Sequence, residues 1–248
     1  MNTIGNKVIM YSRVDSTNNE AWRVLNSTSL DEGTIIRADF QTAGKGQGGT
    51  SWESEANSNL NISIVLRPTY LDVSNQFYLS QAVSIALCKA ISYLCPNNQV
   101  QIKWPNDIYI NKKKAAGILI ENSIVGSVFD VSVVGIGVNV NQLSFASDAP
   151  NPISLAQLTG HKLELDDCLY NICHFVGIWI SNLKYGLLEL IGHQYIHLLW
   201  GYRKQLQFVS GQETFSAEIF GVTHYGKLIL KVNGVLKEYD HKEVRLLL

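Results

Sequence analysis

The sequence is short of the features that mark a metal cluster, a nucleic-acid surface or a membrane span. Its four cysteines, Cys88, Cys95, Cys168 and Cys173, make no Cys-x-x-Cys pair, the short spacing that tetrahedral metal sites commonly use. Cys173 stands beside His174, but both lie in an apolar stretch of helical period. Buried free thiols in a reducing compartment are therefore expected, with no metal-ligand set and a cytoplasmic location. There is no basic excess either: Lys and Arg number 20 against 21 acidic residues, for a net charge of −1. A surface that meets phosphates does so with Lys and Arg, so nucleic acid is not an expected partner. The longest apolar stretches, such as residues 131–138, fall far short of the roughly 20 residues of a spanning helix. The first eight residues lack the basic flank and apolar run of a secretory signal. Neither a membrane nor export is expected.

What remains is 248 residues, 46% hydrophobic and 17% charged, the make-up of a folded globular protein. Such a chain buries roughly 70% of the surface its unfolded form exposes. It fits one large domain, with or without a small appendage.

Residues 7–14 read as a short strand. Asp15-Ser16-Thr17-Asn18-Asn19-Glu20 then precedes an apolar stripe of Ala21, Trp22, Val24 and Leu25, a helix start. Residues 33–40 and 60–66 read as strands, and residues 74–95 as an amphipathic helix carrying Phe77, Val83, Leu87, Ala90 and Leu94. Strands are expected at 100–103 and 108–110, a hairpin-like turn at 112–114 into a strand at 115–121, and a β-rich run at 128–140. Residues 153–200 are helical in pattern. Beyond Trp200, short β-type runs at 205–209, 214–222, 228–232 and 236–239 are separated by Gly211, Gly226 and Gly234, the pattern of a small barrel. The fold class is thus α+β: a mixed, largely antiparallel sheet with helices packed on one face, and a small C-terminal β-barrel. Residues 1–202 form the main domain and residues 203–248 the small one.

Three segments carry the chemistry. Residues 41–59 hold four of the nineteen glycines, at Gly44, Gly46, Gly48 and Gly49. Neither the Walker spacing nor the dinucleotide-binding pattern is met. A mobile loop and an anion cradle of backbone N–H groups are equally open readings. Lys103-Trp104-Pro105-Asn106-Asp107 breaks a strand with a proline and sets two polar side chains at its edge. Lys114 follows seven residues after Asp107, across a turn that brings it back; a surface ion pair and a working acid–base pair both suit that spacing. Gly135-Ile136-Gly137-Val138-Asn139-Val140-Asn141 places two glycines in a strand, with Asn139 and Asn141 on one face. That suits close approach to a polar ligand or a strand end capped by asparagines.

Together these segments resemble the biotin protein ligases, which attach biotin to carboxylase carrier proteins. That family shows a Ser-Thr-Asn helix start, a Gly-Arg-Gly-Arg-type loop running to Trp, a Lys-Trp-Pro-Asn-Asp strand, a Lys-x-x-Gly-Ile-Leu turn and a Gly-x-Gly-x-Asn strand. The counterparts stand here in the same order: Ser16-Thr17-Asn18, residues 44–52, Lys103 to Asp107, Lys114-Ala115-Ala116-Gly117-Ile118-Leu119, and Gly135 to Asn139. The glycine-punctuated tail resembles the family's SH3-like terminal domain. With Ser16 so near the start, the chain resembles the form without an N-terminal DNA-binding domain.

The resemblance implies ATP-dependent activation of biotin to biotinyl-AMP, followed by acyl transfer to a lysine of a biotin carboxyl carrier protein or carboxylase carrier domain. ATP and Mg²⁺ are the implied cofactors, and a homodimer is compatible with it. It implies catalytic roles for Lys114 and Asp107. Contacts to the substrate fall to Ser16, Thr17, Asn18, Gln41, Lys45, Gly46, Gln47, Trp52, Lys114 and Gly117, and contacts to the nucleotide to Gly44, Lys45, Asn106, Lys114 and Asn139. One departure stands out. Lys45, Gln47 and Thr50 occupy positions where the family loop carries arginines, and none offers a planar bidentate fork. Looser retention of the intermediate, or an arginine supplied from elsewhere, is the consequence. The rival readings are a lipoate or octanoate ligase of the same fold and a non-catalytic biotin-binding module.

Overall fold

Strand β1 (Val8–Tyr11) runs parallel to β2 (Ile35–Ala38), and helix α1 (Thr17–Ser27) connects them. The computed structural model describes residues 4–146 and 151–247. Next come β3 (Leu60–Leu66), helix α2 (Gln76–Leu94), β4 (Val100–Lys103), β5 (Asp107–Ile110), β6 (Lys113–Val125) and β7 (Val128–Val138). They complete a seven-stranded sheet in the order β1-β2-β3-β7-β6-β5-β4, antiparallel except for the first pair.

The sheet has two unlike faces, because neighbouring residues on a strand point to opposite sides. On the back, Ile35, Ile62, Ile64, Ile108, Ile118 and Ile136 join the main apolar core. That core also takes in α2 and the two long helices that follow the sheet. On the front, Ile36, Val65, Val131 and Val133 form a second cluster with Ala21 of α1 and Leu30. The expected mixed, largely antiparallel sheet with its large helices on one face is what the chain forms, and α1 alone covers part of the other. The rest of the front face carries the site.

Helix α2 is apolar nearly all round, with Leu79, Val83, Ile85, Leu87 and Ile91 buried, as befits a helix enclosed by neighbours. The run from Val73 to Leu94 is long and apolar enough to cross a membrane by length and composition alone; 61% of its most apolar stretch is buried inside the protein.

Residues 153–200 form three helices: α3 (Leu155–Thr159), α4 (Leu165–Lys184) and α5 (Leu188–Leu198). Gly160, at φ 77°, ends α3 in the left-handed conformation, the usual glycine stop. Ser154 and Gln157 close its start with a reciprocal capping box. The remaining strands are β8 (Gln205–Ser210), β9 (Glu213–Val222), β10 (Leu228–Val232), β11 (Val235–Tyr239) and β12 (Arg245–Leu246). They make a second, antiparallel sheet ordered β11-β10-β9-β8-β12. Its Phe208, Ile219, Leu228 and Leu230, with Val244 just ahead of β12, join the main core.

Asp15 anchors the entry to α1. It accepts hydrogen bonds from both guanidinium nitrogens of Arg23, at 2.7 and 2.8 Å, and from Asn19 at 2.7 Å. The Arg23 contacts hold its carboxyl well below the usual carboxylate range. A carboxyl so lowered binds fewer protons folded than unfolded. Its stabilisation is therefore complete above the ordinary value of about 3.9 and is lost progressively as pH falls below it. Asp15→Asn should lower Tm at neutral pH, the gap to wild type narrowing steadily below about pH 4; melts across that range check it.

Candidate active site

The uncovered front of the sheet is a cavity of about 780 Å³, within the range of small-molecule sites. Its floor follows from register. Asn61 pairs with Gly137, Gly137 with Gly117, and Gly117 with Asp107. One row across β3, β7, β6 and β5 thus presents an amide, two residues without side chains, and a carboxylate. The adjacent row sets Ser63 opposite Gly135. Because all these residues share a face, the glycines leave bare backbone in the middle of an otherwise filled sheet.

The glycines are there because side chains from elsewhere lie on them. A Cβ at Gly137 would come within 2.3 Å of the Trp52 ring, one at Gly117 within 3.2 Å of it, and one at Gly135 within 2.4 Å of Asn18 Oδ1. Trp52 Nε1 is buried without a hydrogen-bond acceptor among the described residues. Gly137→Ala should therefore displace the indole and cost about 1–3 kcal/mol in stability. The same change in a Trp52→Ala background should cost distinctly less, a difference that a double-mutant cycle by urea denaturation measures.

Lys114 reaches the row through a local irregularity. Asn111 and Lys112, at φ 50° and 67°, make the two-residue turn from β5 to β6, the hairpin geometry with positive φ at both positions. The register then shifts between Ile108 and Tyr109, so that Ala116 faces Ile108 while Lys114 faces Tyr109. The bulge re-aims the lysine, which strict alternation would send to the back. Its Nζ lies 2.6 Å from Asp107 Oδ1 and 5.7 Å from the Trp52 ring centroid.

The opposite wall is a polar network. Ser16 caps α1 with no side-chain hydrogen bond; instead Gln41 Oε1 accepts from the Thr17 backbone N–H at 2.8 Å and from Thr17 Oγ1 at 3.2 Å. Ser63 Oγ lies 2.8 Å from Thr17 Oγ1 and 2.6 Å from Asn18 Oδ1. Asn18 Nδ2 in turn donates to Glu121 at 2.9 Å and to the Leu119 carbonyl at 3.3 Å. Buried polar groups linked this way hold one another in fixed orientations.

The glycine-rich segment is ordered by its own backbone. Gly46 N donates to Thr50 O at 2.7 Å and Trp52 N to Gly44 O at 2.8 Å, and Lys45 bridges to Ser51. It is a small hairpin flap with a turn at Gln47–Gly49, which delivers Trp52 to the floor. Lys45 Nζ engages Asn19 Oδ1 at 2.5 Å and lies 3.9 Å from Glu121.

The structure gathers Ser16, Thr17, Asn18, Gln41, Lys45, Gly46, Gln47, Trp52, Asn106, Asp107, Lys114 and Gly117 around this one cavity. Gly44 and Asn139 are not in its wall. Gly44 closes the flap, where a Cβ would lie 2.5 Å from Trp52 O. Asn139 is buried and donates from Nδ2 to the carbonyls of Lys114, at 3.4 Å, and Ile153, at 3.3 Å, bracing the segment that carries Lys114. Asn106 lines the cavity while its Nδ2 donates to Ile118 O.

Sequence reasoning passed over Asn61, Ser63 and His241. The first two stand behind the wall, where Asn61 meets Gln41 and Ser63 meets Thr17 and Asn18; they lie on one face of an otherwise apolar, fully buried strand, a period-2 polar signal that was there to be read. His241 arrives from the second sheet, which nothing local in the sequence reveals. It also lines an adjoining cavity of about 670 Å³, shared through Gln47, Thr50 and Asp107. There Lys103, Lys242 and Arg245 stand, none in an ion pair among the described residues. Burial pushes the Lys103 ammonium pKa down, and its Nζ donates to Tyr109 OH at 3.3 Å. Among the described residues no group of three or more His, Cys, Asp or Glu side chains is placed to hold a metal ion.

Comparison with known proteins gives a consistent result. Residues 10–139 match the model of the biotin/lipoate A/B protein ligase family. The chain is 34% identical over 187 residues to the biotin–[acetyl-CoA-carboxylase] ligase of Paracoccus denitrificans, covering 73% of this chain and 76% of that one. Over 255 residues it is 29% identical to the bifunctional ligase/repressor BirA of Bacillus subtilis, covering 98% of this chain and 75% of the relative. In three dimensions it resembles the biotin protein ligase of Aquifex aeolicus solved with biotin and ATP, with a TM-score of 0.81, 24% identity, and 97% and 98% of the two chains covered. The biotin protein ligase of Leishmania major in complex with biotinyl-5-AMP superposes with a TM-score of 0.65 at 21% identity, covering 95% and 99% of the chains.

Proposed function

The chain belongs to the biotin/lipoate A/B protein ligase family, and on that premise we propose that it activates biotin with ATP and passes the biotinyl group to a lysine of a carboxylase carrier protein. It is an enzyme of the biotin ligase branch. One observation carries the reading: an ammonium and a carboxylate, Lys114 and Asp107, meet at 2.6 Å in a cavity floored by bare backbone.

A free carboxylate is a poor acyl donor, because attack on it must expel oxide. In the first step a biotin carboxylate oxygen attacks the α-phosphorus of ATP. The bond from that phosphorus to the bridging oxygen breaks, and pyrophosphate leaves. Two anions must meet for this, and a fixed cation between them offsets their repulsion. Lys114 provides it by turning from Asp107 to the carboxylate and the α-phosphate. Each charge-assisted contact is worth about 1.5–3 kcal/mol. The glycine flap lacks arginines, and the cations of the adjoining cavity, Lys103, Lys242 and Arg245, stand in for them toward the outer phosphates. Among the described residues the acidic side chains form no metal cage; a Mg²⁺ ion would be held chiefly by the nucleotide phosphates and would neutralise their charge.

In the second step the acceptor lysine's amine attacks the acyl carbon, AMP departs with the bond electrons, and the amine loses a proton. Asp107, freed from Lys114, orients the amine and takes that proton. The flap of residues 44–52 keeps water from the mixed anhydride meanwhile.

The same family includes lipoate ligases, whose acid ends in a dithiolane ring with no N–H or C=O groups. The network of Thr17, Asn18, Gln41 and Ser63, with Ser16 beside it in the wall, supports a ring rich in hydrogen-bonding groups, as the biotin ureido is, and Trp52 Nε1 lacks an acceptor among the described residues. ATP–pyrophosphate exchange measured with biotin, lipoate and octanoate tests the assignment. Exchange with biotin alone is expected; exchange with lipoate or octanoate alone would overturn it, and exchange with none of them would favour a non-catalytic binding module.

A further inference from the structure

We propose that His193 and His197 form a two-point site for a divalent transition-metal ion on the outer face of α5. The residues are one turn apart, at i and i+4, so their side chains lie one above the other on the same face. Both are exposed, and their Nε2 atoms approach to 3.2 Å with ring centroids 4.3 Å apart.

That separation is informative. Imidazole nitrogens bind first-row metals at about 2.0–2.1 Å. Two nitrogens 3.2 Å apart therefore hold a single ion with an angle between the two bonds of about 100°, between the square and tetrahedral values. In the protein alone the two nitrogens share one hydrogen bond, so one ring donates and the other accepts. An ion takes the place of that proton. With no third ligand side chain among the described residues, water completes the coordination. Neutral imidazole pairs of this kind prefer nickel and copper over manganese or magnesium.

The position gives the site a consequence. Tyr195 lies between the two histidines in sequence but points inward, fully buried, and its hydroxyl donates to the Pro105 carbonyl at 2.7 Å. Pro105 stands two residues before Asp107. An ion bound at the outer face pins the helical turn whose inner face supports that segment.

The test uses the full, untagged chain, stripped with a chelator and titrated with Ni²⁺. One ion per chain is expected by calorimetry. Tm should rise by about 5–10 °C at a hundredfold excess over half-saturation, with affinity falling in the order Cu²⁺, Ni²⁺, Co²⁺, Mn²⁺. His193→Ala and His197→Ala, both at exposed positions, should keep the metal-free melting behaviour and each lose the Ni²⁺-dependent rise. His161→Ala, at an exposed ring hydrogen-bonded to the Thr159 carbonyl, should retain it. The proposal fails if the wild-type chain neither binds Ni²⁺ nor gains stability from it, or if either histidine variant responds as the wild type does.

Discussion

Replacing Lys114 with alanine is expected to lower biotin-dependent ATP–pyrophosphate exchange by about 10²–10³-fold, the usual cost of removing one charge-stabilising donor from an active site. The expectation rests on what else can do the job. Lys45 is engaged with Asn19 and faces Glu121. Lys103 donates to Tyr109 and lines the adjoining cavity rather than this one. Among the described residues no other lysine or arginine lines the main cavity, so the carboxylate and the α-phosphate would meet without a cation between them. Stability should change far less. The Lys114 and Asp107 side chains are 22% and 24% exposed, so water partly solvates the carboxylate left behind, and a loss of about 1–2 kcal/mol is expected. Exchange and urea denaturation, measured on the same preparation, separate the two effects. Undiminished exchange in a folded Lys114→Ala protein would remove the lysine from the mechanism.

The parts of the site legible in the sequence are those whose local grammar is unusual. A proline inside Lys103 to Asp107, a lysine three residues before Gly117, and two glycines in the strand at 135–137 each break the pattern of an ordinary strand. The last two have a structural cause: a bulge that turns Lys114 forward, and bare backbone beneath Trp52 and Asn18. Other parts depend on pairings between distant segments, which no local pattern encodes. Period alone marks Ser63 as polar on one face of β3, but its partners Thr17 and Asn18 come from α1. Strand β12 has two residues, too few for alternation to register, yet its approach brings His241 and Lys242 to the cavities. Asn139 by period suits a polar ligand or a strand-end cap, and its amide holds the backbone of Lys114 and Ile153. Likewise, Ile35 and Ile36 are equally apolar as letters, and only the sheet assigns one to each face.

Asp107→Asn should divide the reaction at its midpoint. The amide keeps the shape of the carboxylate and can still accept a hydrogen bond from Lys114, so formation of biotinyl-AMP is expected to stay within about tenfold of wild type. It cannot take a proton from the attacking amine. Transfer to the carrier should fall by about 10²–10⁴-fold, the contribution of a positioned general base. That loss has a pH signature. With no base in the site, only acceptor lysine that is already deprotonated reacts, and its fraction rises about tenfold per pH unit below the ordinary lysine value of about 10.4. Transfer by the variant should therefore climb steeply from pH 7 toward pH 9, by contrast with a shallower wild-type profile. Single-turnover transfer from preformed biotinyl-AMP measures this step without the first. Should both half-reactions fall equally and without a change in pH profile, Asp107 serves only to hold Lys114, and the proton must leave by another path.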